Sequence, residues 1–299
     1  MLWFQRIGAG LSPETRGIAG LVAAMLVFTI MDAFAKDLME RNDPIMVIWA
    51  RFTSQMALVL VIYAPNLRRI LRTRYPVLQT ARSFLHLFAN VLFFTALSMM
   101  AMAEAVAVFE TGPLLITVFA YLILKEQVGP RRWTAVVVGL LGALIIIRPG
   151  MDVFQWAALL PLGTAVCMAL FQIIVRIIGT EDSMETSMVY AGAAGCIVMS
   201  MIVPFFWTTP TLADGIVLAT FGWIGFVGHI CLLYALGQAP ASTLAPFNYT
   251  GFLWALMIGA TVFGEIPDFW TLVGAAIILG AGIYVWHRER VRSHPAEGL

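Results

Sequence analysis

The chain has 299 residues, of which 61% are hydrophobic and 12% charged, with a formal net charge of +1 and a mean hydropathy of +0.88. That composition excludes an ordinary soluble surface and a basic nucleic-acid-binding domain, and it assigns the chain to polytopic membrane proteins. With roughly 20 apolar residues per crossing plus short turns, the length accommodates about ten helices and no sizeable soluble domain.

Hydropathy places spans at 17–38, 44–63, 78–98, 102–124, 132–148, 153–177, 187–205, 213–236, 240–263 and 269–287. In the first, Ala33-Phe34-Ala35 follows an apolar run preceded by Arg16, the outline of a signal-peptide cleavage site. The segment is read as a retained span, because its removal would leave nine spans and destroy the match of Lys36 to Arg176, 140 positions on, which continues the repeat into its first helix. Asp32 and Lys36 align with Gln172 and Arg176 as the same i,i+4 polar pairing, and Asp32 is a candidate coupling group. The third span carries His86 and Asn90 one turn apart. The fourth holds Glu104, then Glu110 roughly 8 residues or ~12 Å deep, then Pro113 as a candidate hinge. It ends on Leu124-Lys125-Glu126. In the eighth, Gly222, Gly225 and Gly228 recur at every third position as a close-packing stripe, with Trp223 and His229 beside them. The ninth is interrupted by Pro240 and Pro246, holds Asn248, Tyr249, Gly251 and Trp254, and ends on Phe263-Gly264-Glu265. Pro44, Pro65, Pro76, Pro130, Pro149, Pro210 and Pro267 fall at or near the connections, where helices must stop or start.

Residues 96 to 126 are echoed 139 positions later by residues 235 to 265: Ala96-Leu97 with Ala235-Leu236, Thr111-Gly112 with Thr250-Gly251, and Glu126 with Glu265. The echo divides the chain into two five-helix repeats, 1–150 and 151–299. Counting Lys and Arg on alternate sides puts Arg6, Arg16, Arg68, Arg69, Arg72, Arg74, Arg82, Lys125, Arg131, Arg132, Arg176, Arg288, Arg290 and Arg292 on one side. Lys36, Arg41, Arg51 and Arg148 fall on the other. The positive excess marks the cytoplasmic face, so both termini are expected there. An odd number of spans per repeat makes the second copy enter the membrane from the opposite face, as alternating-access carriers with inverted repeats do. The expected fold is therefore an all-α membrane protein of ten transmembrane helices in two inverted repeats.

Ionisable and polar groups near the mid-membrane are costly and face a cavity or bond a neighbouring helix. His86, Asn90, Glu110, His229, Asn248 and Tyr249 are candidate substrate contacts, and Glu110 is also a candidate proton carrier. Asn90 matches His229, and Glu110 matches Tyr249, across the repeat offset. Trp223 and Trp254 lie mid-span as candidate cavity walls. Pro113, Pro240, Pro246 and Gly251 are candidate hinges, since Pro- or Gly-interrupted segments at matching places in two halves point to a binding site. Cys167, Cys196 and Cys231 show no metal or redox spacing and read as packing residues. A phosphate-cradling Gly-rich loop with Lys, His-Glu-x-x-His and Gly-x-Ser-x-Gly are missing from the sequence, so no enzyme activity, metal or cofactor is expected.

The five-plus-five plan resembles the drug/metabolite transporter superfamily, particularly its EamA-type bacterial members. Pro113 within the fourth span, the endings Leu124-Lys125-Glu126 and Phe263-Gly264-Glu265, and the Gly- and Ala-rich helices after each acid carry the resemblance. The second half departs from it by placing Phe252 where the first has Pro113. The resemblance implies an inner-membrane secondary carrier, embedded in lipid and often an exporter, of amino acids or similar amphipathic metabolites, aromatic ones in particular. A multidrug or cation efflux carrier is the alternative, with a channel or membrane enzyme behind it; the oligomeric state is open. Because Lys36, Arg51 and Arg148 are expected near the outer ends, phosphorylated substrates are disfavoured. A neutral, zwitterionic or cationic amphiphile is favoured, with Glu110 offered to an amine and His86, Asn90 or Asn248 to a carboxylate.

Overall fold

The structure, a computed structural model, describes residues 12–148, 156–179, 182 and 184–293. Arg6 and Pro149, used above for topology, lie outside the described residues, as does the start of the expected sixth span. Helices α1 (Pro13–Met39), α2 (Pro44–Tyr63) and α3 (Pro76–Leu97) are followed by a fourth span in two pieces, α4a (Met102–Phe109) and α4b (Gly112–Leu124). Then come α5 (Pro130–Ile147), α6 (Leu159–Ile178), α7 (Met184–Ile202), α8 (Leu212–Gln238), α9 (Thr250–Val262) and α10 (Phe269–Ser293). Among the described residues no strand is present. Among the described residues nine segments are long and apolar enough to cross a membrane, counting Met102–Leu124 as one.

Local chemistry fixes where the helices start. Proline occupies the first turn of α1, α2, α3 and α5, where its missing N–H would be unsatisfied anyway. Ser12, Asp43 and Thr211 accept from backbone N–H groups of the first turns of α1, α2 and α8, capping donors that would otherwise stay orphaned.

The remaining span, 240–263, is divided into a short helix Ala241–Leu244, a 3-10 turn Ala245–Tyr249 and α9. Its break sits at the position equivalent to the break in the fourth span. Helix α4b begins at Gly112 and α9 at Thr250, beside the matched pair Glu110 and Tyr249. The causes differ. Pro113 cannot bond back and its ring clashes with the Phe109 carbonyl four residues earlier, which ends α4a. In the second half Pro246, not a counterpart of Pro113, opens a 3-10 turn that runs to the same point. Thus both spans are interrupted alike although Phe252 replaces the proline.

The most extensive helix–helix contacts all join residues 13–148 to residues 156–293. They come in exchanged pairs: α1 packs on α8 as α6 packs on α3, α2 on α8 as α7 on α3, and α9 on α1 as α4b on α6, while α5 meets α10 and α2 meets α7. Two of these contacts are fastened by serine. Ser54 of α2 accepts from the Gly222 N–H of α8 at 2.7 Å, and Ser83 of α3 accepts from the Ala194 N–H of α7 at 3.0 Å. Gly222 is required by close approach, since a Cβ there would lie 2.4 Å from the Arg51 carbonyl oxygen and from the Gln55 nitrogen.

Candidate functional site

The candidate polar side chains inside the bundle fall into two groups. The first gathers at the two breaks. Glu110 is buried at the end of α4a, and its carboxylate comes within 3.8 Å of the Cβ position that Gly251 leaves empty, with the Met25 sulfur equally near that position. It makes no hydrogen bond to any described residue. Tyr249 lies within Coulombic reach of Glu110, and its ring and hydroxyl fill the space that Gly282 of α10 vacates. Asn248 bonds its own turn through the Ala245 carbonyl at 3.2 Å. On α9 the Trp254 indole N–H is buried without an acceptor among the described residues.

The second group lies among α1, α2, α3 and α8. Asn90 donates to the His86 carbonyl at 2.7 Å. The His86 ring stands edge-on to Phe52 and tilted to Phe171, both at 5.7 Å. His229 lies on Phe28 at 5.1 Å, with Nδ1 2.7 Å from the Gly225 carbonyl oxygen. At the centre of this group is Arg51, a residue whose depth the sequence reading misjudged. It is 8% exposed, with its guanidinium over the Phe94 ring at 5.2 Å, and within Coulombic reach of Asp32, His86 and His229. The signal was available: at 1.5 Å per residue Arg51 is ~10 Å in from Pro44, about as deep as Glu110 in its own span. The expectation of a binding level without a cation is therefore overturned.

His86 and Glu110 thus belong to different groups rather than to one constellation. Trp223 belongs to neither. It is 46% exposed, on the same stripe of α8 as Val227 and Ile230, because one residue on from the packed Gly222 is about 100° around the helix. It lies on an exposed face of α8, away from both groups. Of the hinge candidates, Pro113, Pro246 and Gly251 sit at the breaks, whereas Pro240 is exposed and starts the short helix that follows it. A cavity of about 370 Å³ bounded by Met46, Trp49, Thr53, Trp207 and Leu218 is apolar and is lined by none of the candidate residues.

Both span-ending acids form ion pairs with their repeat-matched bases. At the end of the bundle opposite the termini, Glu265 meets Lys36 at 2.5 Å, with side chains only 21% and 11% exposed. The same carboxylate accepts from the Met102 N–H at 2.8 Å, supplying the helix cap that Ala101 cannot. Lys36 also donates to the Met100 carbonyl at 2.7 Å. At the termini end the matched pair, Arg176 with Glu126, is 3.5 Å apart and half exposed. Arg148 bonds Asp268 next to the Lys36–Glu265 latch, and that bond holds the Asp268 carboxyl down at about 2.

A profile of the EamA-like transporter family matches residues 15–148 and, a second time, residues 155–286. The chain is 26% identical over 276 residues to an S-adenosylmethionine uptake transporter of Rickettsia bellii, covering 92% of this chain and 94% of that one. It is 30% identical over 260 residues to a riboflavin transporter of Vibrio cholerae, covering 80% and 83% respectively. A solved crystal structure superposes with a TM-score of 0.63 at 18% identity over 94% of this chain and 99% of that chain, a likeness of fold alone.

Proposed function

The chain belongs to the EamA-like transporter family, and from that premise we propose that it is a secondary carrier of small amphipathic metabolites in the bacterial inner membrane. It works by alternating access between two inverted repeats, with both termini cytoplasmic. The doubled family match, the equivalent breaks and the exchanged packing pairs support the repeat reading. Lys and Arg concentrated at the termini end support the orientation.

The observation that carries the mechanism is the pair of matched latches. Lys36–Glu265 is largely enclosed and tied to the start of α4a, while Arg176–Glu126 at the opposite end is longer and half exposed. A carrier must hold one end closed while the other releases its substrate. Repeat-related ion pairs of unequal strength supply such an alternation, with the end opposite the termini sealed in this state. Glu110, buried at the break without a hydrogen-bond partner, is the coupling group of this reading.

The substrates lie in the range of amino acids, aromatic or neutral, and of the compounds for which the relatives are named, S-adenosylmethionine and riboflavin. Export of amino acids and uptake are two uses of one carrier, set by the driving gradient. Counterflow of labelled phenylalanine, methionine, S-adenosylmethionine and riboflavin into proteoliposomes tests the reading. Uptake of at least one above empty liposomes is expected; uptake of none by folded protein overturns it. If Glu110 couples protons, Glu110→Gln retains counterflow but loses its response to an imposed proton gradient.

A further inference from the structure

We propose that Arg51 and Asp32 together form the recognition site for an α-amino carboxylate headgroup, an inference that rests on the carrier reading above. Among the described residues Arg51 makes no hydrogen bond and no ion pair, and its Nε–H is buried with no acceptor. Its contact with the Phe94 face at 5.2 Å accommodates the cation's charge without using its directional donors. Asp32 is the acid that feels this charge, and it too has no hydrogen bond or ion pair to a described residue. The two ends stay apart. An ion pair would close to 4.0 Å or less, as Lys36 and Glu265 do at 2.5 Å in the same structure.

A buried guanidinium and a partly buried carboxylate that feel each other's charge without joining are each incompletely satisfied, and such groups inside a membrane mark a substrate path. The molecule that satisfies both is a zwitterion with its charges on neighbouring atoms. Its carboxylate takes the planar fork of Arg51, which suits that geometry better than any ammonium, and its ammonium takes Asp32. The depths agree, since Arg51 is ~10 Å in from Pro44 and Asp32 ~10 Å in from Met39, and both ends lie on the side opposite the termini. Around them Phe52 and Phe171 flank His86, and Phe28 flanks His229. These rings give the remainder of the substrate an aromatic wall with two imidazoles set into it. Amino acids and S-adenosylmethionine carry this headgroup; riboflavin does not. The roles suggested from sequence alone are thereby reassigned, the amine from Glu110 to Asp32 and the carboxylate from His86, Asn90 or Asn248 to Arg51.

The test is competition and counterflow in proteoliposomes with four probes: L-phenylalanine, phenethylamine, which lacks the carboxylate, 3-phenylpropionate, which lacks the amine, and riboflavin. The wild-type protein is expected to prefer L-phenylalanine to either truncated analogue by about tenfold or more, the worth of one charged hydrogen bond. Arg51→Gln should abolish the advantage over phenethylamine and keep that over 3-phenylpropionate, and Asp32→Asn should do the reverse. Equal handling of L-phenylalanine and both analogues by the wild type overturns the headgroup site even if neither variant folds. So does uniform loss of every probe in both variants when size-exclusion chromatography shows them folded, which is the behaviour of a structural pair. Transport of riboflavin without L-phenylalanine overturns this proposal and leaves the carrier reading standing, whereas transport of no probe by the wild type overturns both.

Discussion

The two ends of the bundle carry the same two repeat-matched positions, a base and an acid, and use them differently. At the end opposite the termini, Lys36 and Glu265 are enclosed, 2.5 Å apart, and bonded to backbone on both sides of the α3–α4a turn. At the termini end, Arg176 and Glu126 are separated by 3.5 Å and half exposed. Helix ends in the two places are built alike, with Lys125 and Gly264 both at positive φ and with Glu126 and Glu265 bonding back to Ala120 and Gly259. The difference therefore arises in the surroundings of the acid and not in the chain that presents it. Burial turns one pair into a structural clamp, and water leaves the other free to exchange.

The largest expected effect comes from breaking the enclosed latch. Glu265→Gln removes the partner of Lys36 and weakens the cap on α4a, and losing one member of this partly buried pair costs more than the ~0–1 kcal/mol of an exposed pair and less than the ~3–5 kcal/mol of a fully buried one. Thermal unfolding in detergent should show a clearly lowered midpoint, and an unchanged midpoint would mean the latch holds nothing. Next comes Gly222→Ala, whose new Cβ would meet α2 backbone at 2.4 Å. Overpacking of this kind costs about 1–3 kcal/mol, visible in the same assay. Unlike the latch variant it should leave the Lys36–Glu265 pair intact, as accessibility of a cysteine placed at the latch would report.

A smaller effect is expected from pH. The folded carboxyl of Asp268 sits at about 2 because Arg148 bonds it, below the ordinary value of about 3.9. Its contribution is full above that ordinary range and is lost as pH falls through about 2. Between neutral pH and about 5 the stability of the wild type and of Asp268→Asn should therefore differ by a constant amount, and the curves should converge progressively from there down through about pH 2. Smallest of all is Arg176→Ala. An exposed pair contributes about 0–1 kcal/mol, so its midpoint should lie within error of the wild type, and a loss as large as that of Glu265→Gln would erase the distinction between the two ends.

The spans were readable because apolar runs and first-turn prolines are local signals. The expected 44–63 and 102–124 coincide with α2 and with the ends of α4a and α4b. The fold's interruptions were legible in part: Pro113 announces its break, but the matching break before Thr250 depends on a 3-10 turn begun by Pro246 at a different repeat position. Site residues were harder, because facing and depth depend on neighbouring helices. Charge counting assigned Arg51 to a side, and side assignment says nothing of depth, although its place within its own span did. Trp223 was taken as interior for being mid-span, while the glycine stripe one residue away marked the packed face and so put the indole outside. Nothing in the sequence indicated that Arg51 and Asp32 would be held apart, since that separation is set by how α1, α2 and α8 pack together.

One consequence of the exchanged packing concerns how the protein is made. Helices α4b and α9 have 13 residues each, about 20 Å at 1.5 Å per residue, so each covers only part of a ~30 Å crossing and leaves the rest to the interrupted segment before it. Their open ends need neighbouring helices to shelter the backbone. For α4b the main neighbour beyond its own half is α6, and for α9 it is α1. The contacts that shelter these ends are thus made with helices far away in the sequence, so the packing of α4b is completed only when α6 is in place, and that of α9 relies on α1, made first.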